Sequence, residues 1–167
     1  MSITIRPAEQ PDVVRILDII NYEISHSNST HFHEERTYSE QLSWYKEKQV
    51  EGYPVLVAEV DGKMVGYGTY RLFSPWDVYQ HSIEHTIYLD KDARGKGIGK
   101  MLLEELIEQA RENDYHVMIA GIDASNEGAI RFHEQFGFEL VGTFREVGYK
   151  FGEWLDLVFM QKILHEA

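Results

Sequence analysis

Cysteine is absent from this chain, which excludes disulfides, a thiol nucleophile and thiolate metal sites. Positive charge is scarce: 16 Lys and Arg stand against 28 Asp and Glu, for a formal net charge of -12. Nonspecific nucleic-acid binding and attachment to an anionic membrane both favour basic faces, so neither partner is expected. No apolar run approaches membrane-spanning length, and the N-terminus alternates Ile3 and Ile5 where a leader would be basic and then apolar. These absences point to a cytoplasmic protein. Repeats, low-complexity tracts and linkers are missing too. With 167 residues, 43% of them hydrophobic, the chain is expected to form a single domain over 1–167.

The most informative stretch runs from Glu84 to Leu106. A β-branched and aromatic run ends at Leu89, a glycine-rich turn follows, and Ile98, Leu102, Leu103 and Leu106 recur at helical spacing. The spacing predicts strand, loop and helix. Glycines at 95, 97 and 99 remove Cβ atoms where backbone amides could approach a ligand, and the helix turns its free N–H groups and positive dipole end into that loop. Arg94, Lys96 and Lys100 add positive charge within an acidic chain. On these residues alone two readings stay open: a phosphate-binding loop, or a turn that merely starts a helix.

Two phosphate loops are excluded by spacing. A P-loop needs four residues between its glycines and then Lys-Ser/Thr, whereas Gly95 and Gly99 enclose three and Lys100 precedes Met101. A dinucleotide fingerprint starting at Gly95 would require glycine at Lys100. What fits is Arg-x-x-Gly-x-Gly at Arg94, Gly97 and Gly99. This pattern resembles the pyrophosphate loop of the GNAT superfamily of acetyl-CoA-dependent N-acetyltransferases.

The rest of the chain supplies the frame. Ser2 to Arg6 alternates like a strand, and Pro11 opens a helix with an expected apolar face of Val14, Leu17, Ile20 and Ile24. A polar loop covers 25–37, and a second helix begins near Ser39, carrying Leu42, Trp44 and Tyr45. Pro54 to Val60 and Lys63 to Leu72 form a hairpin about Asp61-Gly62. After the central helix come a strand at Val117 to Ile122, a short helix from Asn126 to Gln135 closed by Gly137, and an antiparallel pair at Phe138 to Val147 and Trp154 to Lys162. That order is similar to the GNAT fold. The resemblance implies an α/β (α+β) class with a mixed, mostly antiparallel sheet, splayed at the acetyl-CoA site and flanked by about four helices.

Three further stretches resemble the phosphinothricin acetyltransferase branch, which acetylates small amino-acid analogues: 83–88, the run from Phe132 to Phe138, and that from Gly148 to Asp156. Where most GNAT enzymes carry tyrosine, this chain has His133. The resemblance implies direct transfer from acetyl-CoA to a primary amine such as that of phosphinothricin or methionine sulfoximine or sulfone. Such a reaction needs a base for the ammonium proton, donors for the oxyanion and an acid for the leaving sulfur. Glu84 is the candidate base, its other reading being an ion pair or an edge position. The family implies backbone donors at Ile87, Tyr88 and Leu89, with Arg94, Gly95, Lys96, Gly97, Ile98, Gly99 and Lys100 holding the pyrophosphate. His133 is the candidate acid or else a satisfied core histidine, and Asn126 either bonds the CoA arm or is a plain N-cap.

The substrate side is expected to use Arg71, Phe73, Ser74, Glu84 and His85. Members of this branch usually carry a basic residue in the loop corresponding to 73–81, but Ser74 stands at the expected place and Arg71 is shifted. Phe73, Trp76 and Tyr79 either wall a pocket or pack a core. No metal is expected. His81-Ser82-Ile83-Glu84-His85 matches a zinc-protease pattern that works only on a helix; on a strand its histidines stand about 13 Å apart. His31-x-His33 with Glu34 and Glu35 reads as a polar loop. Branch members are often homodimers, which the aromatic C-terminal strands would serve. Two rival functions remain, a protein N-terminal or ribosomal-protein acetyltransferase and a non-catalytic acyl-CoA sensor.

Overall fold

The computed structural model describes residues 1–165. The elements in order are β1 (Ile3–Pro7), α1 (Val13–His26), α2 (Tyr38–Glu51), β2 (Val55–Val60), β3 (Lys63–Leu72), β4 (Ser82–Leu89), α3 (Ile98–Glu112), β5 (Val117–Asp123), α4 (Glu127–Gln135), β6 (Glu139–Lys150) and β7 (Glu153–Ile163). The strands among the described residues form one sheet in the order β1-β2-β3-β4-β5-β7-β6. The β4–β5 pair is parallel, while β1–β2, β2–β3, β5–β7 and β6–β7 are antiparallel. The mixed, mostly antiparallel α/β class and the four helices agree with the expectation.

The chain divides into two compact units, one of residues 1–71 and 86–109 and the other of 72–85 and 110 onward. In the first, α1 buries Val13, Ile16, Ile19, Ile20 and Ile24, the four isoleucines beside Val55, Val57 and Tyr67. Val14, expected on that face, is 56% exposed. Positions 13 and 14 each continue a helical stripe to Ile20 and Ile24, so spacing alone does not choose between them. Thr37 begins α2 with a capping box: its hydroxyl accepts from the Glu40 N–H, and the Glu40 carboxylate accepts from the Thr37 N–H. The Asp61-Gly62 turn joins β2 and β3 as expected, with Val60 opposite Lys63.

The residues that α2 buries are polar, Gln41 and Lys48. Lys48 Nζ donates to the Tyr70 carbonyl at 2.9 Å. Burial, and then the neighbouring Arg71 charge, push its pKa down to about 8.

In the second unit, β7 lies between β5 and β6, and Met118, Ala120, Ile122, Val158 and Met160 are buried. The terminal hairpin is longer than predicted, because β6 continues to Lys150 and turns through Phe151-Gly152. A bulge interrupts it between Phe144 and Gly148, where Glu146 has φ 58° and donates its N–H to Asp156 Oδ1 at 2.8 Å. The β4–β5 pairing covers Ser82, Ile83 and Glu84 only. From His85 onward, β4 has no partner in β5.

Candidate active site

The glycine loop belongs to the first unit. Gly95 and Gly97 have φ of 75° and 81°, a conformation that side-chain-bearing residues rarely adopt, and a Cβ built on either meets nothing within 4 Å. The first helical donor is the Met101 N–H, which reaches the Gly97 carbonyl. Among the described residues, nothing accepts the N–H groups from Arg94 to Lys100. Ile98 is buried and pins the start of α3. This is a row of unclaimed donors at the positive end of a 15-residue helix, the donor set that a pyrophosphate requires.

Arg94 is engaged by Glu23 of α1, a carboxylate only 5% exposed. Its guanidinium therefore braces the loop against α1. Lys100 lies 3.9 Å from Glu104 on the solvent face of α3. Ile87, Tyr88 and Leu89 end β4 half-buried, with the Tyr88 hydroxyl donating to the Ser29 carbonyl.

Glu84 belongs to the second unit. It is half-buried and lies opposite Ile119. Two residues farther along β5, and so on the same face, comes Gly121, whose strand partner is Phe159. The Glu84 carboxylate lies directly over this glycine, with Oε2 2.9 Å from the point a Cβ would occupy. Phe159 makes edge contacts with both Phe73 and Phe144. Among the described residues the carboxylate has no ion pair and no hydrogen bond. Without such a partner the ion-pair reading fails, and because β4 lies between β3 and β5 in the sheet order the edge reading fails too. What remains is an unpaired carboxylate beside aromatic walls.

His85 points to the opposite face and is buried. His133, also buried, lies on the same side of the sheet: its Nδ1 is 2.7 Å from the Ala129 carbonyl and its Nε2 is 3.0 Å from His85 Nε2. A carbonyl only accepts, so His133 carries its proton on Nδ1, and His85 donates from Nε2. His133 Nε2 is therefore an occupied acceptor with no proton to give a leaving sulfur. Burial, and then His133, push the His85 pKa down to about 3 against a smaller upward pull from the Ile119 backbone. His85 Nδ1 has no well-formed hydrogen bond. Burial also lowers the pKa of His133. The pair is neutral and sealed by Phe138, whose ring packs against both imidazoles.

A family model, the acetyltransferase (GNAT) family, matches residues 19–138. The chain belongs to the GNAT acetyltransferase family. An L-methionine sulfoximine/L-methionine sulfone acetyltransferase of Salmonella typhimurium is 39% identical over 98% of this GNAT chain and 95% of its own length. The crystal structure of a ribosomal-protein-alanine N-acetyltransferase from Brucella melitensis superposes with a TM-score of 0.94 at 44% identity, covering 96% of this chain and 99% of that one. An acetyltransferase from Salmonella typhimurium, solved with its cofactor acetyl-CoA, superposes with a TM-score of 0.95 at 38% identity, covering 100% of this chain and 96% of that one.

Sequence reasoning and structure place the GNAT residues unevenly. The structure brings Phe73 into the aromatic group beside Glu84, through Phe159. His85, expected at the substrate, lies on the other face, since neighbouring strand residues alternate. Asn126 caps α4, its Oδ1 accepting from the Ala129 N–H at 3.1 Å. Trp76 and Tyr79 are exposed, so they do not pack a core. Arg71 is exposed and has no ion pair or hydrogen bond among the described residues. The span 82–89 is extended strand, so the zinc-protease pattern lacks the helix it needs, and no cluster of three or more metal-ligating side chains occurs among the described residues. Gly121, Phe159, Phe144 and Glu23 were not anticipated. The one signal available was an isolated glycine inside the β5 pattern, which marks a close approach.

Proposed function

We propose that this acetyltransferase moves the acetyl group of acetyl-CoA directly to the primary amine of a small amino acid or analogue, of the methionine sulfone, methionine sulfoximine or phosphinothricin type. The observation that carries the reading is Glu84, an unpaired, half-buried carboxylate at the last β4 position that pairs with β5. It takes the ammonium proton, directly or through water. The neutral nitrogen then attacks the thioester carbon, the carbon–sulfur bond breaks, CoA leaves as thiolate, and the second proton of the nitrogen passes to water or to that thiolate, leaving the neutral amide. The Ile87–Leu89 amides, three residues farther along the same strand, serve the oxyanion, and the amides of 95–100 hold the pyrophosphate. Asn126 contributes to the CoA arm. Phe73, Ser74 and Phe159 border the amine, and Arg71, a cation without a carboxylate partner, answers the substrate carboxylate. His133 acts by holding His85; to serve as the acid it would have to be released from that bond.

The 39%-identical Salmonella relative supports the amino-acid class. The Brucella structure favours a second reading, transfer to a protein N-terminus. Release of CoA thiol from acetyl-CoA, measured against methionine sulfone, methionine sulfoximine, phosphinothricin, ordinary amino acids and short peptides, separates them. Fast release with an amino-acid analogue is the expected result. Fast release only with peptides would favour the second reading, and silence with acetyl-CoA still stabilising the fold would favour a sensor.

In this reading 1–167 is one cytoplasmic domain, since the family match crosses both units, and no helix among the described residues is long and apolar enough to cross a membrane. The edge strand β6 exposes Leu140, Val141, Phe144, Val147 and Tyr149, an apolar surface suited to a homodimer.

A further inference from the structure

Glycine is a poor strand residue, because it lacks a side chain to pack and loses more conformational freedom on folding than any other. Gly121 nevertheless stands inside β5, and its φ is not positive, so the backbone there would accept any residue. The requirement is for space. A Cβ at this position would stand 2.9 Å from Glu84 Oε2, 3.4 Å from Phe159 Cε1 and 3.7 Å from Leu157 Cδ1. Only the carboxylate oxygen is too close, and it ends a flexible side chain. A methyl group here is therefore accommodated by swinging the Glu84 carboxylate aside, with no movement of backbone.

We propose that Gly121 is a positioning residue for the reaction: the space left by its missing side chain seats the Glu84 carboxylate and fixes the proton-accepting oxygen relative to the walls formed by Phe159 and Leu157. This rests on the reading of Glu84 as the base. The positions follow from the register, since Ile119 lies opposite Glu84 and Gly121 is the next β5 residue on that face. A β5 strand carrying alanine would fold equally well and would hold the base in the wrong place.

The test uses the full chain and four variants: Gly121→Ala, Glu84→Gln, Glu84→Asp and the Glu84→Asp, Gly121→Ala double. Gly121→Ala is expected to keep the wild-type melting temperature and KM for acetyl-CoA while kcat falls by about 30- to 100-fold, the scale of an ångström-sized misplacement. Aspartate withdraws the carboxylate by one carbon–carbon bond, about 1.5 Å, and so relieves the clash. Adding Gly121→Ala to Glu84→Asp should therefore cost less than about threefold, a non-additivity that a general weakening of β5 would not produce. If Gly121→Ala retains wild-type kcat while Glu84→Gln is crippled, the seat is refuted and the base stands. If Glu84→Gln keeps full activity, the base reading falls and takes the seat with it. Equal losses from Gly121→Ala in both backgrounds would also overturn the proposal.

Discussion

The two faces of β4 differ more than their one-residue offset suggests. Glu84 is half-buried, carries no hydrogen bond or ion pair among the described residues, and sits over a glycine beside aromatic rings. His85 is sealed, bonded to His133 and held neutral far below its ordinary pKa. One face leaves a proton acceptor unclaimed, and the other uses its imidazoles as a hydrogen-bonded tie between strand and helix. Titratable side chains adjacent in sequence thus divide into a carboxylate without a partner among the described residues and a hydrogen-bonded, buried imidazole pair. Burial and partners decide which is which, and residue type does not.

The largest expected effect breaks the reactive face. Glu84→Gln should lower kcat by about 100-fold or more, the usual scale for a general base, while acetyl-CoA affinity measured by calorimetry stays unchanged. The sealed face should respond in stability. His133→Phe keeps a ring among Phe132, Phe136 and Phe138 but leaves the His85 donor buried without a partner, at a cost of about 1–3 kcal/mol in urea unfolding. A loss within a few tenths of a kcal/mol would show that the imidazole bond contributes little.

The smallest effect sharpens the contrast through pH. Both histidines bind protons more weakly folded than unfolded, so below about pH 6.5 the unfolded chain takes up protons that the fold refuses. Stability is full above that pH and falls as pH drops below it, for His85 by up to about 1.4 kcal/mol per pH unit down to about 3, with His133 acting in the same direction. Urea unfolding at about pH 7, 6 and 5 should show this slope in the wild type and a flatter one in the His85→Phe, His133→Phe double variant. Equal slopes would mean that the pair is not kept neutral.

Legibility followed the locality of each feature. The glycine loop could be read because its conformation is written at consecutive positions, and φ at Gly95 and Gly97 is positive as such a loop needs. The Asp61-Gly62 hairpin and the α4 cap at Asn126 are local in the same sense. Glu84 and His85 were expected together at the substrate, although strand alternation, a local rule, already sets neighbours on opposite faces. The partners were another matter. His133 is 48 residues from His85, and Glu23 is 71 residues from Arg94. No spacing rule connects such positions. The placement of Gly121 under Glu84 likewise depends on the β4–β5 register, which only the folded sheet supplies.

The central claim is that the Glu84 face of β4 performs the chemistry and the His85 face holds the strand. The most direct test is kcat for CoA release with methionine sulfone at saturating acetyl-CoA, measured for Glu84→Gln and His133→Phe side by side. The account predicts a loss of at least about 100-fold in the first and less than about tenfold in the second. The reverse order, with His133→Phe crippled and its alkaline pH limb gone, would make His133 the proton donor and contradict the division between the faces.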